Sequence, residues 1–135
     1  MKEPVWVLRE VVHALHERLL SEFGGAAGVR DDGMLESALS RPANQFAYGS
    51  PSMPELAAAY AFGLVRNHPF VDGNKRTGFL LGVLFIELNG LEFVAKEADA
   101  TQAVLSLASK TLDEVGYRNW LCANIVGWVK RMTTQ

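Results

Sequence analysis

Apolar side chains fall into a helical rhythm near the start of the chain. Leu8, Val11, Val12, Leu15, Leu19 and Phe23 share one face of a 3.6-residue repeat, and Gly24 with Gly25 interrupts it. Asp31 or Asp32 then offers a cap for a short helix carrying Met34, Leu35, Ala38 and Leu39. That helix is expected to end before Pro42, because a proline pushes the preceding residue out of the helical region. Residues 42–53, with Gly49, Pro51 and Ser52, have no helical period and read as an exposed connection. A short extended arm is expected there at Gln45, Phe46, Ala47 and Tyr48.

Ser52 followed by Glu55 forms a capping-box pattern, with Pro54 allowed in the first turn, and opens a helix expected to reach about Arg66. The helix expected from Asn74 to Leu88 is apolar all round, with Phe79, Leu80, Leu81, Val83, Leu84, Phe85 and Ile86 covering its circumference. Such a helix belongs in the interior, so it is expected to be the central one. The stretch 91–94 is too brief to anchor a sheet. Two further helices are expected over 97–110 and 113–131, the last with Trp120, Leu121, Ile125, Trp128 and Val129 on its core side. The pattern predicts an all-α protein, a single compact helical bundle with a buried central helix spanning residues 1–135.

Composition narrows the function. With 135 residues the chain can bury one core but not two. Its 13 basic and 15 acidic residues leave a net charge of −2, against direct binding of nucleic acid through a basic surface. No apolar run is long enough to cross a bilayer, and the charges at Arg9 and Glu10 break up any signal-peptide core. A cytoplasmic protein without membrane contact is expected. Cys122 has no possible partner in the chain and is expected as a buried thiol in a reducing compartment.

The candidate chemistry lies just ahead of the apolar helix, in His68-Pro69-Phe70-Val71-Asp72-Gly73-Asn74-Lys75-Arg76. Gly73 permits a tight turn and close approach of a ligand. The first N–H groups of a helix lack intrahelical partners and favour an anion. Asn74, Lys75 and Arg76 add donors at the same end, Asp72 offers an oxygen suited to Mg²⁺, and His68 can accept a proton near neutral pH. Two readings stand on the residues alone: a plain turn with a solvated first helical turn, or a phosphate site. Cations at a helix N-terminus oppose its dipole by roughly 0.3–1 kcal/mol each, which a purely structural start would avoid.

The same stretch, continued through Thr77 and Gly78, resembles the signature of the Fic/Doc family, His-x-Phe-x-(Asp/Glu)-(Gly/Ala)-Asn-(Gly/Lys)-Arg. Gly28-Val29-Arg30-Asp31, Leu35-Glu36-Ser37-Ala38-Leu39 and the run from Pro54 to Asn67 resemble its death-on-curing (Doc) branch. The resemblance implies a nucleotide-using transferase with ATP and Mg²⁺. It makes His68 the general base, Asp72 the Mg²⁺ ligand, and Gly73, Asn74, Lys75 and Arg76 the phosphate contacts. Phe70 is expected to anchor the loop in the core. Family members that transfer AMP carry Gly where Lys75 stands and a second Arg where Phe79 stands, so the resemblance favours transfer of the γ-phosphate of ATP to a Ser or Thr hydroxyl. Transfer of AMP, or a non-catalytic binding role, is the alternative. The Doc branch further implies elongation factor Tu as the protein substrate, a toxin's role in halting translation, and a Phd-like antitoxin as partner. Residues 42–53 would correspond to the family's target-binding flap.

Overall fold

The computed structural model describes residues 2–127. Six helices and one short strand pair make up the described chain: α1 (Arg9–Phe23), α2 (Asp32–Tyr48), α3 (Met53–Asn67), α4 (Asn74–Leu88), β1 (Glu92–Phe93), α5 (Glu97–Ala108), α6 (Glu114–Ala123) and β2 (Ile125–Val126). The helical bundle is as expected, and α4 keeps the bounds read from its pattern.

The centre of the bundle, however, is α3. Its residues from Leu56 to Ala61, with Gly63, Leu64 and Val65, are buried, whereas Phe79, Leu80, Val83 and Leu84 of α4 are only half-buried. Side-chain size explains the reversal. Ala57, Ala58, Ala59, Ala61 and Gly63 give α3 a thin surface that lets neighbours close in from several sides. A Cβ on Gly63 would lie 2.9 Å from the Ala38 Cβ of α2. One on Gly78 or Gly82 of α4 would lie 3.1 Å from the carbonyl oxygen of Ala61 or Ala57 respectively. Helix α3 is fixed at its start by the capping box: the Ser52 hydroxyl accepts from Glu55 N and the Glu55 carboxylate accepts from Ser52 N.

Helix α2 does not stop at Pro42 but runs to Tyr48. A proline inside a helix costs about 3 kcal/mol in isolation. Here Pro42 continues the buried stripe of Leu35 and Ala38, and Phe46, one turn further on, packs edge-on against Trp6 with ring centroids 5.8 Å apart. Packing therefore holds the helical conformation past the proline, and residues 45–48 are its last turn, not an extended arm. The fork of Arg41 on the carboxylate of Glu114, 2.5 Å at each contact, ties α2 to α6. Arg41 also covers one side of the Phe62 ring at 5.0 Å, and Arg66 reaches the same ring at 4.9 Å while donating to the carbonyl of Leu107.

The end of the chain departs further from the pattern. Helix α6 ends at Ala123, and Ile125 lies in β2, which pairs antiparallel with β1 through Glu92 opposite Val126 and Phe93 opposite Ile125. The segment around 91–94 thus does form a strand, with Phe93 wedged between the rings of Phe79 and Trp120. Trp128 and Val129 lie outside the described residues. Cys122 is exposed rather than buried, because α6 buries only Tyr117 and Leu121. No described helix is long and apolar enough to cross a membrane.

The seam between α2 and α3 supplies a direct check. Gly63→Leu is expected to lower unfolding stability by roughly 1–3 kcal/mol or more through overpacking against Ala38, read from urea denaturation. An unchanged midpoint would show that the helices can separate at little cost.

Candidate functional site

The candidate loop joins the end of α3 to the start of α4, and those two helices pack directly together. His68 is the C-cap of α3, exposed and in the left-handed conformation with φ 49° and ψ 54°. For a non-glycine residue that conformation costs about 1–2 kcal/mol, so the surroundings must hold it. Arg30 donates from Nε to the His68 carbonyl at 2.7 Å and from Nη2 to the Asn67 carbonyl at 2.8 Å. The Pro69 carbonyl accepts from Arg30 N and Asp31 N, and Val71 N donates to the Gly28 carbonyl. Val29 and Phe70 form an antiparallel bridge. The segment 28–31, whose Asp31 also caps α2 by accepting from Met34 N, is thus paired along the back of the loop.

Phe70 is 1% exposed, as expected of an anchor. Its ring stacks face to face on His16 of α1, centroids 3.7 Å apart and planes 11° apart, and His13 meets it edge-on at 6.0 Å. The Nε2 of His16 lies 2.8 Å from the Asp72 carbonyl oxygen, so that nitrogen carries the proton and donates it. His16 is itself only 3% exposed. Helix α1 buries Val12, His16 and Leu19, while Leu8, Val11 and Phe23 of the expected apolar face are exposed. The signal for His16 was its place between Val12 and Leu19 at helical spacing; a stripe defined by apolar residues alone passes over it.

The Asn74 side chain, 6% exposed, accepts from Phe70 N and donates to the Phe70 carbonyl, each at 3.0 Å. The amide closes the loop on itself. What Asn74 contributes to the open end of α4 is its backbone N–H. Gly73 turns the chain with φ 80°, and no side-chain cap closes the first turn of α4. Around that uncapped end stand the exposed side chains of Asp72, Lys75 and Arg76. The Arg76 guanidinium lies 4.2 Å from the centroid of the Phe23 ring. Lys75 borders an open hollow of about 410 Å³ whose far wall is Gln102, Leu105, Ser106, Ser109 and Thr111 of α5 and its end. Those hydroxyls, 30 residues along the chain, gave no sequence signal because only the packing of α5 brings them near.

Asp72 accepts from Gly73 N at 2.9 Å through one carboxylate oxygen and from Ala26 N at 3.3 Å through the other. Each oxygen keeps a lone pair, and the group is exposed. Among the described residues no cluster of three or more metal-ligating side chains exists. The Asp72 carboxylate, with lone pairs to spare beside the uncapped start of α4, could hold Mg²⁺, which is commonly bound by one or two carboxylates together with substrate phosphates.

The residues expected to form a target-binding flap lie elsewhere. Because α2 starts beside Pro69 and runs alongside α3 to its beginning, Gln45, Phe46, Ala47 and Tyr48 sit roughly 20 Å from His68, one length of α3 away. Gln45 and Tyr48 border a separate open groove of about 450 Å³ with Glu55, Glu114 and Arg118.

The sequence that carries this loop is similar to known proteins. Residues 6–86 fit the Fic/DOC family, more than half of the chain, and the protein belongs to that family. Over 76 residues it is 43% identical to the toxin Doc of Mycolicibacterium smegmatis, covering 54% of this chain and 58% of that protein. Over 84 residues it is 34% identical to the protein kinase doc of Escherichia phage P1, covering 62% of this chain and 67% of the phage protein. The chain therefore spans less than two thirds of the mycobacterial relative and about two thirds of the phage one.

Asn74→Ala removes both bonds to the Phe70 backbone. Leaving those buried groups unpaired is expected to cost roughly 1–3 kcal/mol, with Phe70 N–H exchange becoming fast in hydrogen–deuterium measurements. Retained protection at Phe70 would show that the Val29 bridge and the His16 stack suffice.

Proposed function

We propose that this protein is a Doc-like phosphotransferase that moves the γ-phosphate of ATP to a Ser or Thr hydroxyl of a protein target. The observation that carries the reading is the uncapped N-terminus of α4, where Lys75 and Arg76 stand with Asp72 beside a glycine turn and His68 is exposed at the end of α3. Paired cations at the positive end of a helix are unfavourable unless an anion sits between them. A nucleoside triphosphate is such an anion.

In this reading His68 accepts the proton of the target hydroxyl as its oxygen attacks the γ-phosphorus. The bond from that phosphorus to the β,γ-bridging oxygen breaks, ADP departs, and the proton stays on His68 until solvent removes it. The N–H groups of Gly73, Asn74 and Lys75, with the side chains of Lys75 and Arg76, stabilise the charge on the transferring group. Phosphoryl transfer depends mainly on such positioning and electrostatic stabilisation. Mg²⁺, held through Asp72 when bound, would neutralise phosphate charge. Phe79 supports terminal-phosphate over AMP transfer: its ring packs edge-on against Phe93 at 5.6 Å, so this position offers no second cation to the nucleotide.

The similarity to a toxin Doc and to a protein kinase doc supports a toxin's role with kinase chemistry. The resemblance of the sequence to the Doc branch adds elongation factor Tu as the proposed substrate, arrest of translation as the result and a Phd-like antitoxin as the proposed partner. A cytoplasmic setting is part of the same proposal, supported by its use of ATP.

Intact-mass measurement of elongation factor Tu after incubation with the protein, ATP and Mg²⁺ is expected to show a gain of one phosphoryl group. His68→Ala, at an exposed position, is expected to abolish the gain while keeping the helical circular dichroism of the parent. An adenylyl gain would establish AMP transfer instead, and transfer by the folded His68→Ala protein would remove His68 as the base.

A further inference from the structure

We propose that Arg30 is a positioning residue for His68, setting the direction of the imidazole from outside the loop. This rests on the reading of His68 as the general base. The backbone geometry carries the inference. The Asn67 carbonyl belongs to the peptide plane before His68, and the His68 carbonyl to the plane after it. Arg30 holds both, at 2.8 Å and 2.7 Å, with two nitrogens of one rigid guanidinium. Fixing the planes on either side of a residue fixes its φ and ψ, and with them the direction of its Cα–Cβ bond. For His68 those angles are 49° and 54°, the left-handed region that residues other than glycine adopt uncommonly.

The neighbouring backbone extends the hold. Arg30 N and Asp31 N both donate to the Pro69 carbonyl, so three successive carbonyls, of residues 67 to 69, accept from residues 30 and 31. Arg9, Arg18 and Arg41 form ion pairs with acidic side chains. Arg30 makes no such pair among the described residues, and its side-chain bonds go to these carbonyls. Its planar fork spans two acceptors at once, which the single ammonium of lysine cannot do with the same geometry. Arg30 is also exposed, so its replacement opens no cavity in the core.

A simple cap of α3 would make Arg30 matter for stability alone. A positioning role makes it matter for the reaction rate and for the backbone angle of His68. The full-length Arg30→Ala and Arg30→Lys proteins separate the two. The readouts are the one-bond Cα–Hα coupling of His68, which is distinctly lowered at positive φ, the thermal midpoint, and transfer from γ-labelled ATP to elongation factor Tu.

For Arg30→Ala the His68 coupling is expected to move towards a conformational average, and kcat to fall on the order of a hundredfold, the scale of a 1 Å misplacement. KM for ATP should stay within about twofold of the parent, since the lost contact is not made to nucleotide. Added methylguanidinium is expected to restore part of the rate, and Arg30→Lys to lie between. An unchanged coupling and kcat in folded Arg30→Ala, with or without a lower midpoint, would overturn the proposal and leave Arg30 as a cap. If the unsubstituted protein transfers no phosphate, the phosphotransferase reading fails, and the His68 coupling alone still decides whether Arg30 sets the backbone there.

Discussion

The geometry of the loop depends on the burial of Phe70. A loop that presents polar groups to a ligand needs at least one side chain in the core to keep its shape, and this one has a ring that is almost wholly enclosed. Its stack on His16 joins α1 to the loop, its backbone bonds to Asn74 join the loop to α4, and its bridge to Val29 joins the loop to the segment before α2. Three parts of the fold thereby converge on one residue. The groups available for chemistry, His68, Asp72, Lys75 and Arg76, lie on either side of it and face solvent. Buried residues give the shape, and exposed ones are interspersed among them in a nine-residue motif.

Small residues set the distances at the next level. Because Gly78 and Gly82 let α4 settle against the carbonyls of Ala61 and Ala57, the end of α3 and the start of α4 are brought together by close helix contact rather than by the loop itself. A loop between helices held in this way has little freedom to drift. The polar edge of the packing is finished differently. Phe62 lies against Arg41 and Arg66, and those arginines also reach Glu114 and the Leu107 carbonyl, so charged side chains connect α2, α3, α5 and α6 where the apolar core runs out.

Much of this was legible in the order of residues. The capping box of Ser52 and Glu55, the apolar run of α4 and the loop motif each depend on neighbours within a few positions, and each stands where the pattern put it. What the pattern missed depends on residues far apart in the chain. Pro42 and Phe46 stay helical because Ala38 meets Gly63 and Trp6 meets Phe46, and no local preference reports those contacts. The two-residue strand at Glu92–Phe93 exists only because β2 returns to pair with it. The candidate site shows the same division. The loop motif announced itself, but the sequence assigned the Asn74 amide to the ligand and the clamping arm to 45–48, whereas folding turns Asn74 inward and brings 28–31 to the loop. His16 went unrecognised because a buried imidazole is defined by what it touches.

The glycine contacts between α3 and α4 have a consequence for how such a protein can vary. With His68 at the end of one helix and the uncapped start of the next just beyond it, the spacing between two helix axes sets how these groups stand to each other. A methyl group added at Gly82, two turns from the loop, would press on the Ala57 carbonyl and tilt the very helix whose first residues form the site. The interior of this bundle and the loop between its two central helices are therefore one inheritance: a change along the seam bears on both ends of the loop at once.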